Sequence, residues 1–342
     1  MFTNGPPPPT RHAPPVSIDL LAAVAVKTPV FFCKLARMNV LTIGVQPQRW
    51  LRGAGWFPAP EQLTVVVNTG DDFDHWGLRI CPDLDTITYT LAGLAPEERG
   101  WGREEESFAL LETMRQLGGE AWFLLGDRDL ALHLLRTQRL ASGQRLTEVA
   151  SQVASSLGVA HRILPATDER WETRIETAEQ GELRFQDWLV LHRAVPAAKA
   201  IRFAGSAVPT PEVIEALSEA DLIVVAPSNP FVSVAPMLAL PGFTELLRGR
   251  PVVGVSPVVN GRAVKGPLVE MFASLQQREA SAAAVADWYG DLVSAWVVEQ
   301  GDEAPLLCEG RTVHGCATVM GGLDGRRRLA REVLAFSARS LR

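Results

Sequence analysis

Five carboxylates, Asp71, Asp72, Asp74, Asp83 and Asp85, fall within fifteen residues, directly after the apolar run Leu63-Thr64-Val65-Val66-Val67. Acids gathered this closely suit a divalent cation and the phosphate it carries, because hard cations take oxygen ligands and share them with phosphate. The run itself is short and rich in β-branched residues, the pattern of a strand buried on both faces of a parallel sheet. In such sheets ligands bind outside the carboxyl ends of the strands, and Asn68-Thr69-Gly70-Asp71-Asp72 stands at that place, with Gly70 suited to a tight backbone turn. The second acidic group opens a helix, since Leu84, Ile87, Leu91 and Leu94 recur at near-helical spacing after Pro82. Asp83 and Asp85 thus lie at a helix amino end, where the macrodipole favours the ionised form. Single acids at such positions also serve as caps and turn residues; two acidic groups flanking one strand-loop-helix unit point to a site.

Three further segments carry polar groups that suit a ligand. Leu125-Gly126-Asp127-Arg128-Asp129 sets an arginine between two acids at a helix start, with His133 following at helical spacing. Arg128 offers a planar donor fork for a phosphate or a carbonyl, and a capping acid with a surface ion pair is the rival reading. His133 reads as a packed or surface histidine. Pro227-Ser228-Asn229-Pro230-Phe231 brings Ser228 and Asn229 to a strand end, where an amide can both donate to and accept from a base edge or simply form an Asx turn. In Ser256 to Pro267, Lys265 beside Gly266 can approach a phosphate. There is no Walker A sequence, no GxGxxG and no GxSxG.

The elements that must position these groups alternate. Met38 to Val45, Asp221 to Ala226 and Pro251 to Val255 read as strands, the latter two stopped by Pro227 and Pro257. Helical stretches over Pro211 to Ala220, Pro236 to Arg248 and Ser281 to Trp296 separate the later ones. Strand and helix in alternation predict an α/β fold, a doubly wound, mostly parallel Rossmann-like sheet. Helices over about 128–142 and 147–157, with β-like pieces near 183–190, predict an inserted helical/β subdomain at about 130–200. The main domain is expected over 38–342, and the proline-rich start, 1–37, as a disordered or loosely attached extension.

At 342 residues with 47% hydrophobic content the chain can bury a large core. A net charge of -6 leaves no nucleic-acid footprint. Four cysteines without CxxC spacing argue against zinc and for a reducing, cytoplasmic setting. The apolar stretch Ile18 to Val26 is too short to span a bilayer.

Taken in order, NTGDDF (68–73), CPDLDT (81–86), GWG (100–102), LGDRDLALH (125–133), LPATDE (164–169), FQDW (185–188), APSNPFVS (226–233) and VSPVVNGRAVKGP (255–267) resemble the 2-phospho-L-lactate transferase family. The resemblance covers about Glu61 to Phe336. It implies an enzyme of coenzyme F(420) biosynthesis that joins a guanosine diphosphate-activated three-carbon acid (lactyl, enolpyruvyl or glyceryl type) to the ribityl hydroxyl of the deazaflavin Fo. GMP is released, magnesium is the cofactor, and the enzyme is expected to be a homodimer. It further implies Asp71 and Asp72 as catalytic residues that bind magnesium or position the nucleophile, with Asp83 as a further metal ligand. Asp85 and Arg128 would contact Fo, and Ser228, Asn229 and Lys265 would serve the guanine nucleotide.

One departure stands out. Members of the family carry a GGxGGxK loop after the first strand, where backbone amides cradle the diphosphate. Here the strand-like MNVLTIGV continues into Gln46-Pro47-Gln48-Arg49-Trp50, which keeps Gly44 but lacks the other glycines, and Pro47 has no donor. The chain is therefore expected to be a transferase impaired in its phosphate cradle. The alternative is a non-catalytic nucleotide- or nucleotide-sugar-binding regulator on the same fold.

Overall fold

Runs of β-branched residues buried from end to end form the centre of the molecule. The computed structural model describes residues 30–35, 63–95, 102–263, 266–320 and 322–340. Its strands are β1 (Val30–Leu35), β2 (Leu63–Val67), β3 (Phe73–His75), β4 (Leu78–Ile80), β5 (Arg162–Pro165), β6 (Trp171–Thr177), β7 (Gly181–Arg184), β8 (Ala198–Gly205), β9 (Ile223–Val225), β10 (Val252–Val255), β11 (Val258–Val259), β12 (Arg262–Ala263), β13 (Ala295–Glu299) and β14 (Thr312–Cys316). The helices are α1 (Pro82–Leu91), α2 (Ala109–Gln116), α3 (Asp127–Ala141), α4 (Leu146–Ser156), α5 (Pro211–Ser218), α6 (Ala235–Leu238), α7 (Phe243–Leu247), α8 (Leu268–Gln276), α9 (Ala282–Tyr289), α10 (Ala304–Cys308) and α11 (Gly322–Ser340).

Seven strands make one sheet in the order β14-β13-β10-β9-β1-β2-β5. The pairs β2–β5, β9–β10, β10–β13 and β13–β14 are parallel, whereas β1 runs antiparallel to both β2 and β9. The sheet is therefore mixed, and six of its strands point the same way. The strand expected over Met38 to Val45 lies outside the described residues. The place between β2 and β9 is filled by Val30–Leu35, from within the segment read as a loose extension.

Alternation along the parallel strands explains why the sheet is covered on both faces. Val66, Ile223, Val225, Val252, Trp296 and Val298 belong to one apolar layer with residues of α5, α7, α8 and α9. Their neighbours Val65, Val67, Val224, Val253, Val255, Ala295 and Val297 belong to the other, with residues of α1, α4 and α11. Period-two side chains on fully buried strands demand two such layers.

Two helices are shorter than their sequence pattern suggests. The stretch from Pro236 to Arg248 is broken: α6 stops at Leu238, and Gly242, with a φ of 80°, precedes the start of α7. The stretch from Ser281 to Trp296 ends at Gly290, and Ala295 and Trp296 enter β13, where burial outweighs helical spacing. Within the interval 130–200, β5 joins the main sheet, while β7-β6-β8 form a separate antiparallel sheet that runs on to Gly205. Among the described residues no helix is long and apolar enough to cross a membrane.

Within the central strand β10, Gly254 packs closely enough that an added Cβ would come within 2.7 Å of the Trp296 ring. Gly254→Val should destabilise the fold by about 1–3 kcal/mol through overpacking, to be checked as a lowered urea midpoint.

Candidate active site

Because six strands of the sheet share one direction, the loops after β2, β9, β10 and β14 meet at one edge. They line a cavity of 630 Å³ to which they contribute Asp71, Ser228, Ser256 and Thr318, a size suited to one substrate-sized ligand. The first turn of α1 adds Asp83 and Asp85, α3 adds Asp129 and His133, and the segment after β7 adds Phe185 and Gln186.

Asn68, fully buried at the end of β2, organises the acidic loop. Its Oδ1 accepts the N–H of Gly70 at 2.8 Å, which fixes the amide so that Nδ2 donates to Asp71 Oδ1 at 3.0 Å and Asp83 Oδ2 at 3.1 Å. Two carboxylates twelve apart in number but adjacent in space are thus tied through one NH₂ group. Gly70 is required for space and not for its backbone angle, since a Cβ there would meet Pro236 at 2.6 Å and Thr173 at 2.7 Å. The sequence reading passed over Asn68 as a site candidate, although its place at the strand end was visible.

Burial is the dominant electrostatic fact here. It pushes Asp71 well above the usual carboxylate range, opposed by the Asn68 hydrogen bond and helped by the charge of Asp72. Asp83 is raised likewise by burial and then by Asp71. The helix amino end was expected to keep Asp83 ionised, and desolvation outweighs it. A divalent cation would supply the countercharge that these two acids lack. Magnesium is commonly bound by one or two carboxylates plus phosphate oxygens, so Asp71 and Asp83 fit it. No group of three or more His, Cys, Asp or Glu suited to a metal occurs among the described residues.

Asp72 does not share this position. It is buried outside the cavity lining and faces Arg79 Nη2 at 3.7 Å. Burial raises its pKa to about 6 against the pull of Arg79. The alternation of neighbouring residues in the loop sends Asp71 to the cavity and Asp72 to the cation behind it.

Asp85 lines the cavity but is already neutralised. Arg136 Nη2 binds Asp85 Oδ1, Arg136 Nη1 donates to the Arg79 carbonyl at 3.1 Å, and His133 Nδ1 lies 3.6 Å from Asp85 Oδ2. Burial lowers His133 to about 4. Its ring is therefore neutral near pH 7, and with Nδ1 facing the guanidinium at 3.3 Å the proton resides on Nε2. Arg136 thus lies buried behind Asp85, outside the cavity lining itself. Arg128, expected to contact Fo, lies outside the cavity lining, has a 46% exposed side chain and pairs with Glu105 at 3.2 Å. The signal that could have found Arg136 was periodicity, because Asp129, His133 and Arg136 follow at i, i+4 and i+7 on α3.

The starts of α2 and α3 cap each other. Asp127 accepts from Ser107 Oγ at 2.6 Å and from the N–H groups of Ala109 and Leu110 at 3.2 Å each, while Glu106 accepts from the N–H groups of Arg128 and Asp129 at 2.9 and 3.0 Å. Gly126 leaves the room, for a Cβ would lie 2.3 Å from the Glu106 carboxylate.

At the far end of the cavity Ser228 is buried, and Asn229 Oδ1 is committed to an Asx turn with the Phe231 N–H at 2.9 Å. Asn229 Nδ2 in turn lies 3.4 Å from Met271 Sδ, so both ends of the amide already have a neighbour in the fold. Lys265 and the altered segment 45–58 lie outside the described residues.

Removing Arg136 leaves Asp85 buried and unpaired, so Arg136→Ala should cost about 3–5 kcal/mol of stability, measured by urea unfolding. Asp129 yields a pH prediction. Burial raises it to about 7, against a hydrogen bond from Tyr89. The folded chain thus keeps a proton that the unfolded chain releases near pH 4, and this contribution is full below about pH 4 and lost as pH rises through about 7. Compared with Asp129→Asn, the wild-type chain should lose on the order of a few kcal/mol between about pH 4 and pH 8, seen as diverging urea midpoints.

A family model described as 2-phospho-L-lactate transferase CofD matches residues 40–333. The phosphoenolpyruvate transferase of Kitasatospora aureofaciens is 40% identical over 314 residues, which cover 88% of this chain and 98% of that protein. Those of Streptomyces coelicolor and Mycolicibacterium smegmatis are 39% and 36% identical, covering 88% and 89% of this chain and 98% and 100% of theirs. Among solved structures, a UPF0052 family member from Bacillus halodurans superposes with a TM-score of 0.53 at 18% identity, over 79% of this chain and 91% of that one; that likeness concerns the fold alone. The expectation of a phospho-acid transferase of coenzyme F(420) biosynthesis is borne out, and the chain belongs to the 2-phospho-L-lactate transferase family.

Proposed function

We propose that the cavity joins a guanosine diphosphate-activated three-carbon phospho-acid, of the enolpyruvyl or lactyl type, to the terminal ribityl hydroxyl of Fo and releases GMP. The observation that carries this reading is the Asp71–Asp83 pair, held by Asn68 at the carboxyl edge of the sheet inside a cavity large enough for a substrate. When bound there, magnesium would neutralise charge on the transferred phosphate and on the departing oxygen. Asp71 and Asp83 hold that cation, and a carboxylate of the pair orients the attacking hydroxyl and receives its proton. The hydroxyl oxygen bonds to the phosphorus that bears the acid, and the bond from that phosphorus to the oxygen bridging it to GMP breaks.

Asp72 supports this pair from behind through Arg79 and is not itself a ligand in this reading. The guanine nucleotide takes the end of the cavity lined by Ser228, Asn229, Ser256 and Thr318, where the amino end of α8 follows Gly266 and Pro267. Helix amino ends favour phosphate. Lys265 belongs to the same loop and is assigned to the nucleotide on sequence alone. Magnesium dependence, a cytoplasmic setting and a homodimer are carried over with the family resemblance.

The test is single-turnover conversion of Fo with magnesium and freshly generated GDP-activated acids, following the deazaflavin product and GMP by mass-resolved chromatography. Product above a no-enzyme control is expected. Asp71→Asn and Asp83→Asn should each slow it by at least about a hundredfold, and a chelator should abolish it. An Asp71→Asn chain that turns over at the wild-type rate would remove the pair from the reaction. Product that forms only after a GGxGG loop is restored behind Ile43 would locate the defect in the phosphate cradle.

A further inference from the structure

In the sheet β13 lies between β10 and β14, and the loops after its two neighbours line the cavity while its own does not: among the described lining residues none comes from β13 or from residues 300–303. The chain after β13 turns sideways over β14 instead. Gln300 N–H donates to the Cys316 carbonyl at 3.0 Å, Asp302 N–H donates to the Glu299 carbonyl at 3.0 Å, and the Glu303 side chain crosses β14 at Gly315, where an added Cβ would lie 1.4 Å from Glu303 Oε1. β14 passes beneath that side chain only because position 315 has none.

The carboxylate at the end of β13, Glu299, is partly buried and lies outside the cavity lining. Its Oε2 accepts the Thr318 N–H at 2.6 Å and the Thr318 hydroxyl at 2.5 Å. Hydrogen bonds to a carboxylate are roughly twice as strong as neutral ones. Thr318 is buried, and Thr318, Val319 and Met320 all line the cavity. Arg328 of α11 donates to the Ala317 carbonyl and, at 3.4 Å, to the Val319 carbonyl. A carboxylate only accepts and a guanidinium only donates, so Glu299 takes the N–H and O–H groups of this segment and Arg328 its carbonyls. Asp302 reaches the other way, where its Oδ2 accepts the Asn260 N–H of the chain after β10 at 2.9 Å. Ser256 Oγ is fixed within its own loop, donating to the Val258 carbonyl at 3.0 Å and accepting the Val258 N–H at 3.1 Å; Thr318 is fixed from behind. Pro257, Leu268, Val319 and Met320 add apolar walls at this end of the lining, which suit the faces of a base.

We propose that Glu299 is a positioning residue for the nucleotide: with Arg328 it holds the loop after β14 in the one form that presents Thr318, Val319 and Met320 to the nucleotide end, although it touches no substrate itself. A loop already fixed in its bound form costs no ordering when the ligand arrives, so nucleotide affinity depends on the reach of the Glu299 side chain. Its charge matters less, because one oxygen accepts both bonds. This rests on the transferase reading above, which puts the guanine nucleotide at this end, and adds the part of the sheet that shapes its site.

The experiment compares the full chain with Glu299→Ala, Glu299→Asp and Glu299→Gln, measuring GDP binding by calorimetry, Fo binding by fluorescence titration and the urea midpoint of each. Glu299→Ala should bind GDP at least about tenfold more weakly than the wild-type chain, with Fo binding within about twofold. Glu299→Asp keeps the charge but withdraws the oxygen by one methylene, and should weaken GDP binding in the same direction. Glu299→Gln keeps an accepting oxygen at the same reach, and should bind GDP within about threefold of wild type. Unchanged GDP binding in Glu299→Ala overturns the assignment, and so does an equal loss of Fo and GDP, the mark of general damage to the fold. Should Glu299→Ala not fold, the two conservative variants decide: Gln binding GDP more tightly than Asp supports positioning, and the reverse order assigns the effect to charge and overturns it. Each of these outcomes leaves the transferase reading intact. A wild-type chain that binds Fo but no GDP removes the nucleotide from the cavity, and defeats that reading and this inference together.

Discussion

The cost of burying charge governs this molecule more than any single contact. Asn68 places two carboxylates side by side inside a low-dielectric cavity, and its one amide group is the only hydrogen-bond donor to both of them among the described residues. Neutral hydrogen bonds do not compensate for two desolvated negative charges. A proton or, in the transferase reading proposed above, a cation would relieve that cost, which ties any affinity of the loop after β2 to the burial of its own acids. The close approach of Gly70 to Pro236 and Thr173 serves the same end, since the loop can turn back over the sheet only if that position has no side chain.

Other acids of the same stretch escape that cost by pairing. Asp72 meets Arg79, Asp74 meets Arg170 at 2.5 Å, and Asp85 meets Arg136. The sequence places these acids as if they were equivalent, yet the fold divides them into a pair without a cation of its own and a set already balanced by arginine. Arg136 also reaches the carbonyl of Arg79, so the two guanidinium groups belong to one network beneath the cavity. The division explains how a site rich in carboxylates can remain folded near neutral pH.

The legible part of the fold was what period and composition determine. β2, β9 and β10 ended where their prolines or polar loops required, and α3 and α4 fell within a residue or two of their sequence limits. Helices broken between Leu238 and Gly242 and at Gly290 were not legible, because an apolar run continues past each break and only burial in the sheet decides its fate. Of the acids singled out by their clustering, Asp71, Asp83 and Asp85 line the cavity. Asn68 and Arg136 were missed, since each acts through a partner fifteen or fifty-one positions away, and one sequence contains no record of such pairs. The backbone of Arg128 also takes part in a helix-start device, a use of the motif LGDRD that the sequence reading had named as the rival to ligand contact.

That device has its own consequence. Asp127 satisfies the start of α2 from the chain of α3, and Glu106 satisfies the start of α3 from the chain before α2. Neither helix owns its cap. Separating residues 106–110 from the start of α3 would strip both helices of their amino-end partners at once, which ties the chain before α2 to the helix bearing Asp129, His133 and Arg136. Loss of either Glu106 or Asp127 would therefore cost about 1 kcal/mol at the helix that the other residue's chain begins, and a side chain at Gly126 would collide with the Glu106 carboxylate.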